Sequence, residues 1–371
     1  MRQRGIHLQY SFEPDGQRGA DVHNPLFELL LAVERHGSIR HAATALGASY
    51  RHVWGQLKHW EALLGEPLVS WTQGQPARLT PFAARLLWAE RRARTRLTPH
   101  IEALRAELER VLADALDGSQ QVLAMAASHD LALPALRELA SAAQGLHIEL
   151  RFAGSLDCLR ALAAGRCLVA GFHVPRLADG SRLFAAALKP LLRPGRHKLI
   201  GCMQREQGLI VAAGNPLGIA GVGDLARRGL RFVNRQRGSA TRLLIDHLLD
   251  AQGIEPAPHI DRTEDTHVAV AAAVASGLAD AGPGIEAAAR QFGLGFVPLI
   301  AEDYFLVCLK EALDHPAVQR LREVLASAAW LDALAALPGY TPLRCGEVLS
   351  LTQALPWWHF RAPKARVSAR T

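Results

Sequence analysis

The chain has 371 residues, 49% of them hydrophobic, so its length allows two or three domains with sizeable cores. Its formal net charge of +7 suits a nucleic-acid partner, although many arginine-rich proteins carry a similar charge. Its five cysteines are scattered without a Cys-x-x-Cys pair, which argues against a disulfide framework or a zinc knuckle and for a reducing compartment.

The N-terminal segment 1–20 is polar and contains glycines, so we expect a flexible arm without the apolar core of a signal peptide. No stretch of the chain is apolar for long enough to span a bilayer. We therefore expect a cytoplasmic protein that has no membrane partner.

Residues 37–64 predict a short helix, a tight turn at Gly47 and a second helix. Ser38 and Ser49 are the expected N-caps of the two helices. In the second helix four apolar residues recur at helical spacing and would pack inward: Val53, Trp54, Leu57 and Trp60.

The remaining face of the second helix is basic, because no acidic residue occurs between Arg35 and Trp60. An apolar-backed helix with a basic outer face, entered through a glycine turn, is how a helix-turn-helix presents its recognition helix to the major groove of DNA. The alternative is a helical hairpin whose basic face is merely solvated.

Two short strands are predicted at 65–71 and 76–80, around a polar tip at 72–75. Helix, turn, helix and wing in this order predict a winged helix-turn-helix domain over residues 21–80 and favour DNA binding. The residues expected to contact DNA are polar and lie on both helices and the wing: Arg40, Ser49, Tyr50, Arg51, Gln56, Lys58, His59, Gln73 and Arg78.

This region resembles two kinds of bacterial regulator. The segments 29–33, 36–39 and 63–69 are similar to the N-terminal domain of LysR-type transcriptional regulators. Ser49-Tyr50-Arg51 with Trp54 is closer to the molybdate-responsive ModE-type regulators. The resemblance implies sequence-specific binding to a double-stranded DNA operator by a homodimer or tetramer.

Residues 81–118 predict a linker helix, in which Thr80-Pro81 marks the start. Thr98-Pro99 repeats that signature, so the helix either kinks there or restarts. Its apolar residues alternate in spacing between four and three, as in a coiled-coil seam: Leu97, Ile101, Leu104, Leu108 and Val111. We expect the seam to pair with a second copy, since a DNA-binding dimer must reach two half-sites. The alternative is an amphipathic helix lying on its own domain.

From residue 119 to residue 358, strand-like runs alternate with helical stretches, which predicts an α/β fold with largely parallel sheets. The predicted strands are 122–127, 148–152, 168–172, 209–212, 230–233, 296–299 and 304–309, and the helices include 131–143, 156–164, 241–252 and 268–276. The pattern resembles the two-lobed, periplasmic-binding-protein-like effector domain, in particular the branch fused to ModE-like DNA-binding domains. Residues 359–371 are expected to form a tail.

Several predicted strand-to-helix junctions carry small polar residues beside free backbone N–H groups. In doubly wound sheets these junctions lie where ligands bind, and helix N-termini attract anions. Arg235 and Arg242 flank one junction and could bind an oxyanion or a carboxylate, whereas Asp130 and Asp280 leave room for a ligand with hydrogen-bond donors. The expected effector-binding residues are Ser128, His129, Asp130, Ser155, His173, Arg235, Gly238, Ser239, Thr241, Arg242, Thr266, His267 and Asp280.

No catalytic motif stands out, and the consecutive residues Ser128, His129 and Asp130 point in different directions, so we expect no enzyme, metal or cofactor. The sequence predicts a DNA-binding transcriptional regulator controlled by a small anionic effector. The resemblance to ModE-type proteins favours molybdate, tungstate or a molybdenum-cofactor-related compound. One alternative is a LysR-type regulator that senses a small organic carboxylate, and another is a ligand-binding protein without functional DNA binding.

Overall fold

The structure is a computed structural model that describes residues 24–71, 76–116, 121–177, 181–227, 229–237, 239–254, 263–355 and 357–358. It divides into two compact units, residues 1–102 and 103–371. The expected arm, the wing tip with Gln73, the junction residue Gly238 and the expected tail lie outside the described residues.

The N-terminal unit contains helices and a two-stranded hairpin: α1 (Pro25–His36), α2 (Ile39–Ala45), α3 (Tyr50–Leu64), β1 (Val69–Ser70) and β2 (Arg78–Leu79), followed by the start of α4 (Pro81–Leu116). As predicted, the Ser38 and Ser49 side chains accept hydrogen bonds from backbone N–H groups of α2 and α3. The turn between these helices places Gly47 at φ +63°, a backbone conformation that favours glycine. The helices, turn and hairpin predicted from the sequence are therefore present.

Two details of the N-terminal unit differ from the expectation. Val53 and Leu57 are buried in the core of this unit, but Trp54 and Trp60 are only half-buried at its edge. The helix α4 continues without interruption through Pro99, so of the two expected alternatives, a kink or a restart, the restart is absent.

The C-terminal unit has ten strands: β3 (Gln121–Ser128), β4 (Leu146–Ala153), β5 (Val169–Pro175), β6 (His197–Val211), β7 (Asn234–Arg235), β8 (Thr263–Glu264), β9 (Ala281–Ile285), β10 (Gly295–Leu309), β11 (Tyr340–Pro342) and β12 (Val348–Leu349), counted over its described residues. Its helices are α5 (Leu133–Gln144), α6 (Ser155–Ala163), α7 (Ser181–Leu188), α8 (Ala240–Ala251), α9 (His267–Ala275), α10 (Glu286–Gln291), α11 (Pro316–Ala326), α12 (Ala328–Ala335) and α13 (Leu351–Ala354). None of the helices in the described ranges is long and apolar enough to cross a membrane.

Eight of these strands form one sheet with the order β11-β6-β10-β5-β3-β4, in which β9 and β12 also pair with β6. Alternate residues of β3 pack into different apolar clusters, Leu123 and Met125 into one and Ala126 into another, as the two-residue period of a strand requires. The sheet therefore has an apolar core on each face.

The expectation of largely parallel sheets is wrong. Among the strands of the described residues, only the pairs β3–β4, β3–β5 and β7–β8 are parallel, whereas β6 and β10 pair with other strands in the antiparallel direction. The predicted strands 296–299 and 304–309 are parts of one strand, β10, and residues 209–212 cover only the end of the 15-residue β6. Residues 230–233 contribute a single isolated bridge. The long strands β6 and β10 thus form the antiparallel part of the sheet, and β10 joins it to the parallel part through β5.

Candidate functional site

The outer face of α3 is exposed and basic. Tyr50, Arg51, Lys58 and His59 are exposed, and the Arg51 guanidinium has no ion-pair partner among the described residues. Gln56 is half-buried. Elsewhere in the predicted DNA-contact set, Arg40 and Arg78 are exposed, and Ser49 holds its hydroxyl oxygen 3.2 Å from the backbone nitrogen of His52 as the helix cap.

Aromatic rings brace one edge of α3. The Tyr50 ring stacks on Trp54, and Trp71 meets Trp54 edge-on, with 6.3 Å between ring centroids in both pairs. The Lys58 ammonium lies 4.7 Å from the centre of the Trp54 ring and 2.7 Å from a carboxylate oxygen of Glu61. Glu61 thus partly neutralises the charge of Lys58, whereas no carboxylate of the described residues neutralises that of Arg51.

The C-terminal unit contains a cavity of about 340 Å³. Its lining comes from α6, β5 and α7 on one side and from α8 with the preceding loop on the other: Ser155, Leu156, His173, Phe184, Ala187, Leu188, Arg237, Ser239, Ala240, Arg242, Leu243 and Asp246. The structure therefore brings together four residues of the predicted effector set, Ser155, His173, Ser239 and Arg242. Sequence reasoning missed Arg237, Asp246 and the apolar wall.

Two helix N-termini open on this cavity. Ser239 caps α8 by accepting a hydrogen bond from the Arg242 backbone N–H at 3.1 Å. Ser155 begins α6 after Gly154, which offers no side-chain cap. Ser155 is 5% exposed, and its hydroxyl has no hydrogen-bond partner within the described parts of the chain. The free N–H groups at these two termini give the cavity a positive potential.

A pair of opposite charges lies on the same wall. The Arg242 Nε donates to the Asp246 carboxylate at 2.7 Å, one helical turn further along α8. Arg237 is exposed at the cavity rim. The lining thus carries two guanidinium groups against one carboxylate.

Other predicted effector residues belong to a buried charged cluster centred on Arg205, which is 2% exposed. Its guanidinium donates to Asp130 at 2.6 Å and to Glu302 at 2.9 Å, and the Tyr340 hydroxyl also donates to Asp130. Burial alone would raise the pKa of Asp130, but the Arg205 guanidinium, His173 and the Ala132 backbone N–H together hold that pKa well below its usual range. Asp130 is therefore a structural ion-pair partner rather than a cavity residue.

His267 lies between two arginines of this cluster. Its Nε2 is 3.3 Å from Arg205, and its Nδ1 is 3.0 Å from Arg235. Burial, followed by the charges of these guanidinium groups, lowers the pKa of His267 well below its ordinary value, so the ring is neutral. Arg235 also donates to the backbone carbonyls of Glu264 and Asp265 and so holds β7 against β8. Neither Arg235 nor His267 lines the cavity.

His173 connects the cavity with the cluster. Its Nδ1 lies 2.8 Å from the Ser128 hydroxyl, and its Nε2 lies 3.5 Å from the Asp130 carboxylate. The histidine that Ser128 and Asp130 both approach is thus His173 of the neighbouring strand β5, and not His129, which lies between them in the sequence. The arrangement is nevertheless poor for nucleophilic catalysis, since Ser128 is buried outside the cavity lining and burial lowers the pKa of His173.

Four predicted effector residues have structural partners elsewhere. Asp280 accepts hydrogen bonds from the side chain and backbone N–H of Arg231 and does not line the cavity. Thr266 caps α9, and the Thr241 hydroxyl lies 3.5 Å from the Gln207 amide oxygen. The His129 ring packs on Phe152. Burial, with a further contribution from Arg235, lowers the pKa of His129 to about 4.

No group of three or more histidine, cysteine, aspartate or glutamate side chains in the described ranges is arranged to hold a metal ion.

Comparison with known proteins identifies both units. Residues 136–326 match the model of the PBP superfamily domain, and residues 26–84 match that of the bacterial regulatory helix-turn-helix protein, lysR family. The uncharacterized protein YvgK of Bacillus subtilis is 35% identical over 202 residues, which are 54% of this chain and 64% of YvgK. The chain thus spans less than two thirds of that relative.

Two further proteins are similar to the chain. An uncharacterized protein in the ferredoxin 2Fe-2S gene 5′ region of Clostridium pasteurianum is 32% identical over 111 residues, 29% of this chain and 98% of that protein. The crystal structure of CbnR, a LysR family transcriptional regulator, is 20% identical with a TM-score of 0.39, and covers 81% of this chain and 98% of CbnR. The match of the PBP superfamily domain to half of the chain shows that the chain belongs to this family, and it carries an N-terminal helix-turn-helix domain of the bacterial regulatory lysR family.

Proposed function

We propose that the chain is a DNA-binding transcriptional regulator whose operator binding is controlled by a small molecule in the cavity of the C-terminal unit. The observation that carries this proposal is the exposed, basic face of α3, at the position of the recognition helix in a lysR-family domain. A ligand that binds one conformation of the C-terminal unit more tightly than another would shift the equilibrium of the whole chain and hence its affinity for DNA.

The cavity supports an organic anion as the effector. Its volume of about 340 Å³ falls in the range of sites for small organic ligands, and Leu156, Phe184, Leu188 and Leu243 give it an apolar wall. A tetrahedral oxyanion such as molybdate or tungstate would fill little of this space and make no use of that wall. We therefore favour the small organic carboxylate among the alternatives that the sequence left open, with its charge at the two helix N-termini.

DNA binding is tested by Arg51→Ala in the full-length protein. We expect a loss of about 1–3 kcal/mol in affinity for a duplex that the parent protein enriches from a random pool, because Arg51 is exposed and unpaired. Lys58→Ala should cost less, since Glu61 already shares the charge of Lys58. The matched control is Arg166→Ala, an exposed arginine of the C-terminal unit. Fluorescence anisotropy across a salt series measures both effects, and an Arg51→Ala protein that binds like the control contradicts the assignment.

Self-association through α4 is tested by Leu104→Asp. Leu97, Leu104 and Val111 are 37%, 50% and 54% exposed, at a spacing of seven residues along one side of the helix. We propose that a second copy covers this side as a coiled-coil seam, so a charge at Leu104 should convert a dimer into a monomer. Light scattering at micromolar concentration checks this, with Leu278→Asp as the control at another exposed leucine. A monomeric parent protein would exclude the seam.

A further inference from the structure

Gly55 is unlike the other glycines of the N-terminal unit. Among the described residues of that unit, Gly37, Gly47 and Gly65 have φ values of +59°, +63° and +72°, which side chains rarely adopt. Gly55 lies inside α3 without a positive φ. A Cβ atom added there would meet nothing within 4 Å. The fold of the chain therefore gives no reason for glycine at this position.

A glycine in a helix interior has a cost, because after proline it is the residue that least favours a helix. It also leaves the backbone open on the exposed side of α3, since Gly55 is itself exposed. Where glycine is not required by conformation, a common reason for it is the close approach of another molecule to the backbone.

Cationic and titratable side chains surround this opening. Arg51 and His52 lie four and three residues before Gly55, and Lys58 and His59 lie three and four residues after it. All four are exposed and lie on the same side of the helix as Gly55, because residues at these spacings are neighbours on a helix surface. The surface therefore has no side chain at its centre and basic side chains around it, an arrangement that complements a polyanion.

We propose that Gly55 is the point at which the α3 backbone approaches duplex DNA most closely, inside the major groove. The missing side chain lets the helix lie deep enough for Arg51 and Lys58 to reach the DNA from the two flanking turns. Gly55 is thus a positioning residue for recognition, and this inference rests on the proposed DNA-binding function.

The test compares Gly55→Ala and Gly55→Leu with the parent in the full-length protein. Both variants should raise the Tm of the N-terminal unit, by about 4 °C for alanine, because they improve helix propensity and an added Cβ atom has no neighbour to clash with. Both should weaken binding to the duplex enriched by the parent, about tenfold for alanine and about a hundredfold for leucine, since the added atoms overfill the interface. Ala142→Leu, an exposed alanine on α5, is the control and should leave DNA binding unchanged.

A rise in Tm together with a fall in DNA affinity distinguishes a positioning role of Gly55 from a structural role. A Gly55→Ala protein that is less stable, or a Gly55→Leu protein that binds DNA like the parent, overturns the inference. If Arg51→Ala still weakens binding in that case, the proposed DNA-binding function stands without it. If the parent enriches no duplex from the pool, the proposed function and this inference both fail.

Discussion

Arg205→Met should lower the free energy of unfolding of the C-terminal unit by about 3–5 kcal/mol, the usual cost of removing one partner from a buried ion pair. Asp130 and Glu302 are fully buried, and both carboxylates accept hydrogen bonds from the Arg205 guanidinium. Without it, two carboxylates would remain in the interior without a cationic partner, and Asp130 would keep the Tyr340 hydroxyl, the Ala132 backbone N–H and His173 beside it. Urea denaturation of the full-length protein, followed by circular dichroism, measures the loss.

The matched control is Arg231→Met, which removes the exposed partner of Asp280. We expect that loss to be about 1 kcal/mol or less, because water replaces the missing partner. Adding Asp130→Asn to Arg205→Met should recover part of the stability, since the buried charge is then gone. Equal losses for Arg205→Met and Arg231→Met would contradict the view that Arg205 holds the cluster together.

The N-terminal unit could be predicted because its signals are local. The caps at Ser38 and Ser49 act on backbone N–H groups three residues away, and the turn at Gly47 depends on a single residue. The half-buried state of Trp54 could not be predicted, because Trp71 beyond α3 and Tyr50 within it form an aromatic group at the helix edge.

The long strands of the C-terminal unit were harder to predict, because their pairing is distant in sequence. Arg205 interrupts the apolar pattern of β6, and Glu302 separates the two predicted pieces of β10. These two residues lie opposite each other in the paired strands and neutralise each other across 97 residues of chain. A polar residue in the middle of an apolar run normally indicates a loop, so sequence reasoning divided β10 and missed the cluster.

The candidate cavity could be predicted only in part, because some of its signals are local and others depend on residues distant in sequence. Ser155 and Ser239 stand at strand-to-helix junctions, a local pattern that indicates a ligand site in α/β folds. Asp280 also lies between a helix and a strand, but it is bound by Arg231, 49 residues away in the chain, and does not line the cavity. Arg242 and Asp246 are one helical turn apart, a spacing from which their ion pair could have been predicted.

Ser155→Ala should separate ligand binding from stability in the C-terminal unit. In the absence of ligand the variant should be as stable as the parent or slightly more stable, because it removes a buried hydroxyl that has no partner in the described structure. An organic anion held at the N-terminus of α6 would be the missing partner. Its affinity should therefore fall by about 1 kcal/mol or more when the hydroxyl is lost, and Arg242→Ala should cost about 1.5–3 kcal/mol.

The probes are benzoate and hexanoate as organic carboxylates, with molybdate, tungstate and sulfate as inorganic oxyanions, in thermal-shift and calorimetric titrations of the full-length protein. Arg290→Ala is the control, since Arg290 lies outside the cavity lining and forms the same kind of one-turn ion pair, with Glu286. A carboxylate should raise Tm in the parent and in the control, but less in the Ser155→Ala and Arg242→Ala variants. An inorganic ion has no apolar part that could pack against the apolar wall. A response to molybdate alone would therefore reverse our choice of effector class. Equal binding of a carboxylate by all four proteins would instead show that the ligand lies outside this cavity.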